Sequence, residues 1–175
     1  MQRVAIVGSP GAGKSTLARR LGTITGLPVH HLDQLFWRPG WVETPRSEWV
    51  AVQEALVGRP AWIIDGNYGA TLDIRLPVAD TIVFLDFPRA LCLFSALKRA
   101  LGAFGRTRPD MAPGCPERLD GQFFAYIWHF PEHNRPQLLT HLQAAQARGQ
   151  EVVRLTGRAD VARYCAGLEQ RGARL

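Results

Sequence analysis

Short apolar runs alternate along this chain with longer stretches of mixed polarity. Arg3-Val4-Ala5-Ile6-Val7 reads as a buried strand. A glycine-rich turn then leads into a helix predicted from about Lys14 to Leu21, which Gly22 and Gly26 should break. Leu27 to Leu32 reads as a short second strand, followed by the aromatic segment Leu35-Phe36-Trp37-Arg38-Pro39-Gly40-Trp41. Thr44-Pro45 has the form of a helix start, a cap followed by proline at the first helical position. Trp49, Val52, Gln53 and Leu56 keep helical spacing until Gly58. Ala61 to Asp65 is a third predicted strand and Thr81 to Asp86 a fourth, and Pro88 opens a helix that runs to about Leu101. Residues 102–118 lack apolar periodicity and are rich in Gly, Pro and Arg, which predicts a mobile loop or lid. A helical region containing Pro131 and Pro136 spans about 120–148, Glu151 to Leu155 forms a fifth strand, and Asp160 to Leu168 a last helix.

Strands that alternate with helices predict an α/β fold, a parallel sheet covered on both faces. Right-handed crossovers then place every strand C-terminus at one edge, where open α/β sheets bind ligands. Gly8, Asp33, Asp65 and Asp86 all fall at that edge. The 175 residues fit one domain, with no internal repeat and no linker.

Composition narrows the setting. No apolar run is long enough to span a membrane, and the first one stops at Gly8, as a core strand does and a signal peptide does not. Cys92, Cys115 and Cys165 are odd in number and widely spaced, which suggests reduced thiols in a cytoplasmic protein. The net charge of +6 comes almost wholly from arginine, since Lys14 and Lys98 are the only lysines. Such a surplus suits a polyphosphate ligand or a nucleic acid and does not choose between them.

Gly8-Ser9-Pro10-Gly11-Ala12-Gly13-Lys14-Ser15-Thr16 matches G-x-x-x-x-G-K-[ST], between a strand and a helix. Glycines let successive backbone N–H groups point inward, and the helix N-terminus adds partial positive charge. Residues 8–16 therefore predict binding of ATP and Mg²⁺, with Lys14 on the β- and γ-phosphates, Ser15 on the metal and Thr16 near an outer phosphate. A dinucleotide fingerprint needs G-x-G-x-x-G, which the spacing of Gly8, Gly11 and Gly13 does not give.

The acceptor side must come from the other strand ends. Asp33 follows the second strand, where a carboxylate can orient an acceptor hydroxyl or hold the metal's water shell. Asp65 ends an apolar strand, the pattern of a metal-associated carboxylate, and Gly66-Asn67-Tyr68-Gly69 forms a polar turn suited to touching the acceptor. Asp86 stands closer to a helix start than to chemistry. Arg99, Arg106 and Arg108 flank or occupy the lid and could neutralise a phosphoryl group in transfer. Arg75 could grip an acceptor phosphate, with Arg118 and Arg135 weaker candidates. Trp37, Trp41 and Trp49 gather near the expected acceptor pocket, to stack on a flat ring or to pack a helical cap, while Trp62 and Trp128 read as core. His129-Phe130-Pro131-Glu132-His133 fits H-x-x-E-H, but Pro131 is expected to disturb the helix that a zinc site there needs. His30 and His31 read mostly as structural, with His31 near the acceptor.

Taken together, these segments resemble a bacterial group of adenylate-kinase-like P-loop proteins often labelled "topology modulation protein". Besides the glycine loop, the likeness rests on His31-Leu32-Asp33-Gln34-Leu35-Phe36-Trp37 with Pro39-Gly40-Trp41, Ile64-Asp65-Gly66-Asn67-Tyr68 and Ala79 to Asp86. It continues through Arg106-Thr107-Arg108-Pro109-Asp110-Met111, Gly114-Cys115-Pro116-Glu117-Arg118 and Tyr126-Ile127-Trp128. The resemblance implies a three-layer P-loop NTPase core of the nucleoside-monophosphate-kinase type, with a five-stranded parallel sheet in the order 2-3-1-4-5. It also implies an acceptor region near 33–60 and a lid near 102–118. Asn67-Tyr68 stands where adenylate kinases carry Phe-Pro-Arg, so the arginine that holds their acceptor phosphate is missing.

The leading expectation is an ATP-dependent phosphotransferase acting on a small acceptor, a nucleotide or nucleoside. The alternatives are a nucleotide-gated nucleic-acid-binding protein and a regulatory ATPase; no nucleic-acid reading motif supports the former.

Overall fold

The apolar runs assemble into a parallel sheet with helices on both faces. A computed structural model describes residues 1–172. In chain order the first elements are β1 (Arg3–Gly8), α1 (Lys14–Thr25), β2 (Val29–His31), α2 (Leu32–Phe36), β3 (Trp37–Arg38), β4 (Val42–Glu43), α3 (Arg46–Val57) and β5 (Trp62–Asp65). They are followed by α4 (Leu72–Arg75), β6 (Thr81–Leu85), α5 (Arg89–Gly102), α6 (Gly121–His133), α7 (Arg135–Ala147), β7 (Glu151–Leu155) and α8 (Arg158–Gly172). The five-stranded sheet runs β2-β5-β1-β6-β7 and every pairing in it is parallel. β3 and β4 form a separate antiparallel hairpin, so the sheet strands alone follow the expected order 2-3-1-4-5.

Alternation along β1 divides the core. Val4 and Ile6 face Leu17, Leu21, Cys92, Ala96 and Cys165 of α1, α5 and α8. Ala5 and Val7 face Trp49, Leu56, Leu72, Leu138 and Leu142 of α3, α4 and α7. Side chains of a strand point alternately to its two faces, so the central strand is apolar throughout. α6 feeds both halves, with Ile127 in one and Phe130 in the other.

Several boundaries differ from those read off the sequence. α1 continues through Gly22 to Thr25, because glycine there lets the helix approach β2: a Cβ would lie 2.5 Å from Val29 Cγ2. Leu32 opens a short helix rather than ending a strand, so Asp33 sits in a first helical turn. Thr44 does not cap α3; its hydroxyl donates to Phe36 O at 2.6 Å and Pro45 takes the N-cap position. α6 runs through Pro131, two residues before its end, with the His129 and His133 rings stacked at 5.3 Å and Glu132 paired with Arg89. Trp128 is not core: it is 50% exposed, under the Arg89 guanidinium.

Two arginine networks secure the edge that carries the site. The first corrects the expectation for Arg75, which is 1% exposed and so not open to an acceptor phosphate. Its guanidinium donates to Gln53 Oε1 (2.7 Å), Thr71 Oγ1 (3.0 Å), Gly66 O (3.2 Å) and Asn67 O (2.5 Å). None of these partners is an acid, and burial pushes the group down to about 9. In the second, Asp86 accepts from Arg135 Nε and Nη2, each at 2.8 Å, and from Arg154 Nε at 2.8 Å, joining β6, α7 and β7. Burial raises the Asp86 pKa, but the two arginines outweigh it and leave the carboxyl below its usual range.

Removing the Arg75 head leaves two backbone carbonyls and the Gln53 amide short of partners. Arg75→Met should lower the unfolding free energy by about 3 kcal/mol in urea titrations, and a loss below about 1 kcal/mol would contradict the network. For Asp86, a pKa lower in the folded than in the unfolded chain stabilises above pH of about 4 and ceases to do so as pH falls through the folded value. Asp86→Asn should cost about 1 kcal/mol at pH 7, a figure reduced for the exposure of the pair, and should flatten the acid limb of stability against pH.

Candidate active site

Residues 8–16 form an inward-facing turn between β1 and α1. Gly8 adopts φ 141° and packs so closely on β6 that a Cβ would lie 2.3 Å from Leu85 O. Gly13 takes the N-cap of α1 at φ 91°, with nothing within 4 Å of where a Cβ would stand, so the helix N-terminus opens on free space. Lys14 folds back and donates to Gly8 O (2.9 Å) and Ser9 O (3.1 Å), which leaves one ammonium proton with no protein partner among the described residues. Burial pulls its pKa down, while Asp33 and Asp65 oppose that shift. Ser9 is buried, Ala12 N–H bonds Ser9 O, and Thr16 is exposed. Pro10 and Gly11 complete the turn.

The turn at residues 66–69 is tied directly to this loop. Asn67 Nδ2 donates to Gly8 O at 2.6 Å, and Gly8 N donates to Asn67 Oδ1 at 2.9 Å. Tyr68 adopts the left-handed conformation (φ 39°), which is strained for a side chain of its size, and its hydroxyl donates to Asp33 Oδ1 at 2.6 Å. Phe36 and Trp49 enclose the Tyr68 ring with centroids at 4.7 and 4.9 Å. Burial pushes the half-buried Asp33 carboxyl above its ordinary range, against the pull of Tyr68 and Lys14.

Asp65 is 4% exposed and hydrogen-bonds His31 Nδ1 through Oδ1 at 2.6 Å. Burial alone would lower the His31 pKa, but the bond to Asp65 and its charge raise it. The pairing follows from strand register, which sets His31 opposite Asp65. Sequence reasoning left His31 as mostly structural because nothing in a linear chain reports that register.

Of residues 102–118, expected as a mobile lid, the part from Asp110 to Glu117 is packed rather than free. Met111, Ala112 and Cys115 bury themselves against Trp37 and Trp41, Gly40 N donates to Gly114 O, and Gln34 reaches Pro109 O. Arg108 Nη1 bonds Asp110 Oδ2 at 2.7 Å. Its Nε lies 2.6 Å from Glu117 Oε2 but is poorly aimed, so that contact is ionic rather than a hydrogen bond. Arg99 Nη2 lies 3.5 Å from Glu117 Oε1, and its buried Nε has no partner. Asp110 also faces Arg19 at 3.9 Å. Arg106 is exposed and joins no ion pair among the described residues, so the lid brings Arg99 and Arg108, not Arg106, into this charge set. Arg118 stacks on Trp41 and pairs with Asp120, and Arg135 belongs to Asp86. A cavity of about 480 Å³ lies beside Ser9 and Asp86, but its arginines are already matched by Asp86 and Glu132.

Sequence reasoning missed Asp110 and Glu117. They lie within the resembling segments, but an acid in a basic loop gives no sign that it will pair with the loop's own arginines. As a whole, the arrangement fits a triphosphate with its metal: free amides at a helix N-terminus, a spare ammonium proton, an orphaned Arg99 N–H, and Ser15 and Asp65 oxygens nearby.

No protein-family model matches the chain, and no curated protein matches it in sequence. Solved structures do match in fold. Shikimate kinase from Acinetobacter baumannii in complex with shikimate superposes with a TM-score of 0.60 over 98% of this chain and 92% of its own, at 15% identity. A gluconokinase from Sinorhizobium meliloti gives 0.54 over 99% and 94%, also at 15% identity. The chain therefore has the α/β fold of these kinases, with its glycine loop and Asp33 following the C-terminal ends of β1 and β2.

Proposed function

We propose that this protein is a phosphotransferase that moves the γ-phosphoryl group of ATP to a hydroxyl or phosphate of a small acceptor. The observation that carries the reading is Asp33, a half-buried carboxylate held by Tyr68 and close enough to Lys14 for each charge to shift the other. The fold shared with shikimate kinase and gluconokinase supports it. Residues 33–60 then form the acceptor side and residues 102–118 the lid, within one catalytic unit.

In this reading the amides of residues 9–16 and Lys14 hold the triphosphate and its developing negative charge. Magnesium, held by Ser15 and Asp65, would supply charge neutralisation on the β- and γ-oxygens. Asp33 orients the acceptor and takes its proton; the raised pKa brings its basicity closer to neutral pH, where a general base works best. Tyr68 fixes the carboxylate's position. Arg99 and Arg108 border the reacting group, and the packed lid excludes water that would otherwise hydrolyse ATP. The narrower likeness to the topology-modulation group names no acceptor. A nucleotide-gated nucleic-acid role rests on the +6 charge, and the pairing of Arg99 and Arg108 with Glu117 and Asp110 weighs against it.

A coupled ADP-release screen over nucleosides, nucleoside monophosphates and small hydroxy compounds tests the proposal. Acceptor-dependent ADP formation should fall at least about 1,000-fold in Lys14→Ala. In Asp33→Asn, kcat should fall about 100-fold or more, with ATP affinity within roughly threefold of the parent. Full activity in either variant would refute the assignment.

A further inference from the structure

Exposed apolar side chains gather on α5 and α6. On α5, Phe94, Leu97 and Leu101 recur at helical spacing, and Phe104 follows just past the helix end. Phe94 is 62% exposed, Leu101 61% and Phe104 63%. The buried side of the same helix is Cys92, Ala96 and Ala100, so the stripe is its outer face. Leu93, Phe94 and Leu97 meet Phe124 of α6 around a hollow of about 320 Å³. Trp128 stands one turn further along α6, half exposed, with the Arg89 guanidinium over its ring at 4.9 Å. Single apolar residues on a surface need no explanation, but a two-helix face of phenylalanine, leucine and tryptophan does. Arg99 lies two residues from both Leu97 and Leu101, on the opposite side of α5, where it meets Glu117, so this face is separate from the candidate active site.

The charges around the face choose its occupant. From Arg89 to Arg106 the chain holds four cations and no acid. Arg89 is engaged by Glu132 and Arg99 by Glu117. Lys98 and Arg106 are exposed and form no ion pair among the described residues. Arg158 of α8 donates to Ser95 Oγ at 3.2 Å, which sets a third exposed cation, also without an ion-pair partner among the described residues, beside α5. A second copy of the chain would bring these cations together with no acid to offset them, and like charges across an interface are costly. The complementary surface is apolar and negatively charged, as an anionic bilayer is. Protruding Phe and Leu enter the acyl boundary, Trp settles at headgroup level, and Lys and Arg meet the phosphates. Leu101 and Phe104 lie outside the hollow and project, which suits a deformable bilayer better than a helix seated in a groove. No helix among the described residues is long and apolar enough to cross a membrane, so the contact is a surface one.

We infer that α5 and α6 dock this protein on an anionic lipid surface through Phe94, Leu97, Leu101 and Trp128, with Lys98, Arg106 and Arg158 against the headgroups. The inference does not depend on the phosphotransferase reading, since the face uses no residue of the glycine loop and needs no nucleotide. A few apolar side chains and three cations make a reversible, salt-sensitive attachment rather than a permanent anchor.

Flotation of the whole protein with vesicles tests this. Vesicles of an equimolar mixture of phosphatidylcholine and phosphatidylglycerol are compared with vesicles of phosphatidylcholine alone. Partitioning onto the anionic vesicles should exceed that onto the neutral ones about tenfold or more, and should fall several-fold when salt is raised to about 0.5 M. Phe94→Ser, at an exposed position, should weaken binding about tenfold. Lys98→Glu should do so about tenfold or more. Arg148→Glu makes the same change of charge at the exposed end of α7, on the other side of the sheet, and should cost less than about threefold. Circular dichroism checks that each variant is folded; if Phe94→Ser is not, Lys98→Glu against Arg148→Glu and the wild-type vesicle comparison decide. No partitioning onto anionic vesicles, equal partitioning onto both kinds, or equal losses in Lys98→Glu and Arg148→Glu would overturn the inference. So would a dimer, seen by sedimentation without lipid, that Phe94→Ser converts to monomer, because the face would then belong to a second copy.

Discussion

Gly8 ends the central strand with both of its backbone polar groups engaged by one side chain, the Asn67 amide. The same carbonyl also receives Lys14. A buried backbone group left without a partner is costly, so this small exchange makes the glycine loop and the turn at residues 66–69 one rigid unit. Arg75 holds the turn from below through Gly66 O and Asn67 O, and Tyr68 carries the geometry onward to Asp33. The glycine loop and the Asp33 carboxylate are thus fixed relative to each other by a few hydrogen bonds at the edge of a stiff sheet, as the proposed phosphoryl transfer requires. Positioning of that kind is most of what such a reaction asks of a protein.

Electrostatics set the second constraint. The site crowds cations and acids into one half-buried region, and nearly all of them are paired before any ligand arrives. Desolvation makes unmatched charge expensive, so the few donors that remain open mark where new negative charge belongs. Those donors are the loop amides, one proton of Lys14 and Arg99 Nε. The Arg99 charge also acts on Asp33, whose Oδ1 accepts from the Tyr68 hydroxyl.

The strands and the glycine turn at Gly8–Thr16 could be read from the chain because each rests on a local pattern, while the order of the strands in the sheet came from the family resemblance. Apolar runs predict strands, and a glycine-lysine spacing predicts a turn. What escaped were relations between distant segments. His31 meets Asp65 only once β2 is registered on β5. Arg75 looks like a surface cation until α3 and α4 close over it. The lid arginines look free until Asp110 and Glu117 fold back on them. Gly22 and Thr44 misled for the same reason, since tertiary contacts with Val29 and Phe36 decided their roles.

The central claim is that the turn after β1 wraps a triphosphate that Lys14 touches. A crystal structure with a non-hydrolysable ATP analogue and Mg²⁺ tests it most directly. The account predicts the phosphates enclosed by the amides of residues 9–16, with Lys14 Nζ turned from the Gly8 and Ser9 carbonyls onto the β- and γ-oxygens. A nucleotide bound elsewhere, or an empty loop with Lys14 still on those two carbonyls at saturating analogue, would contradict it.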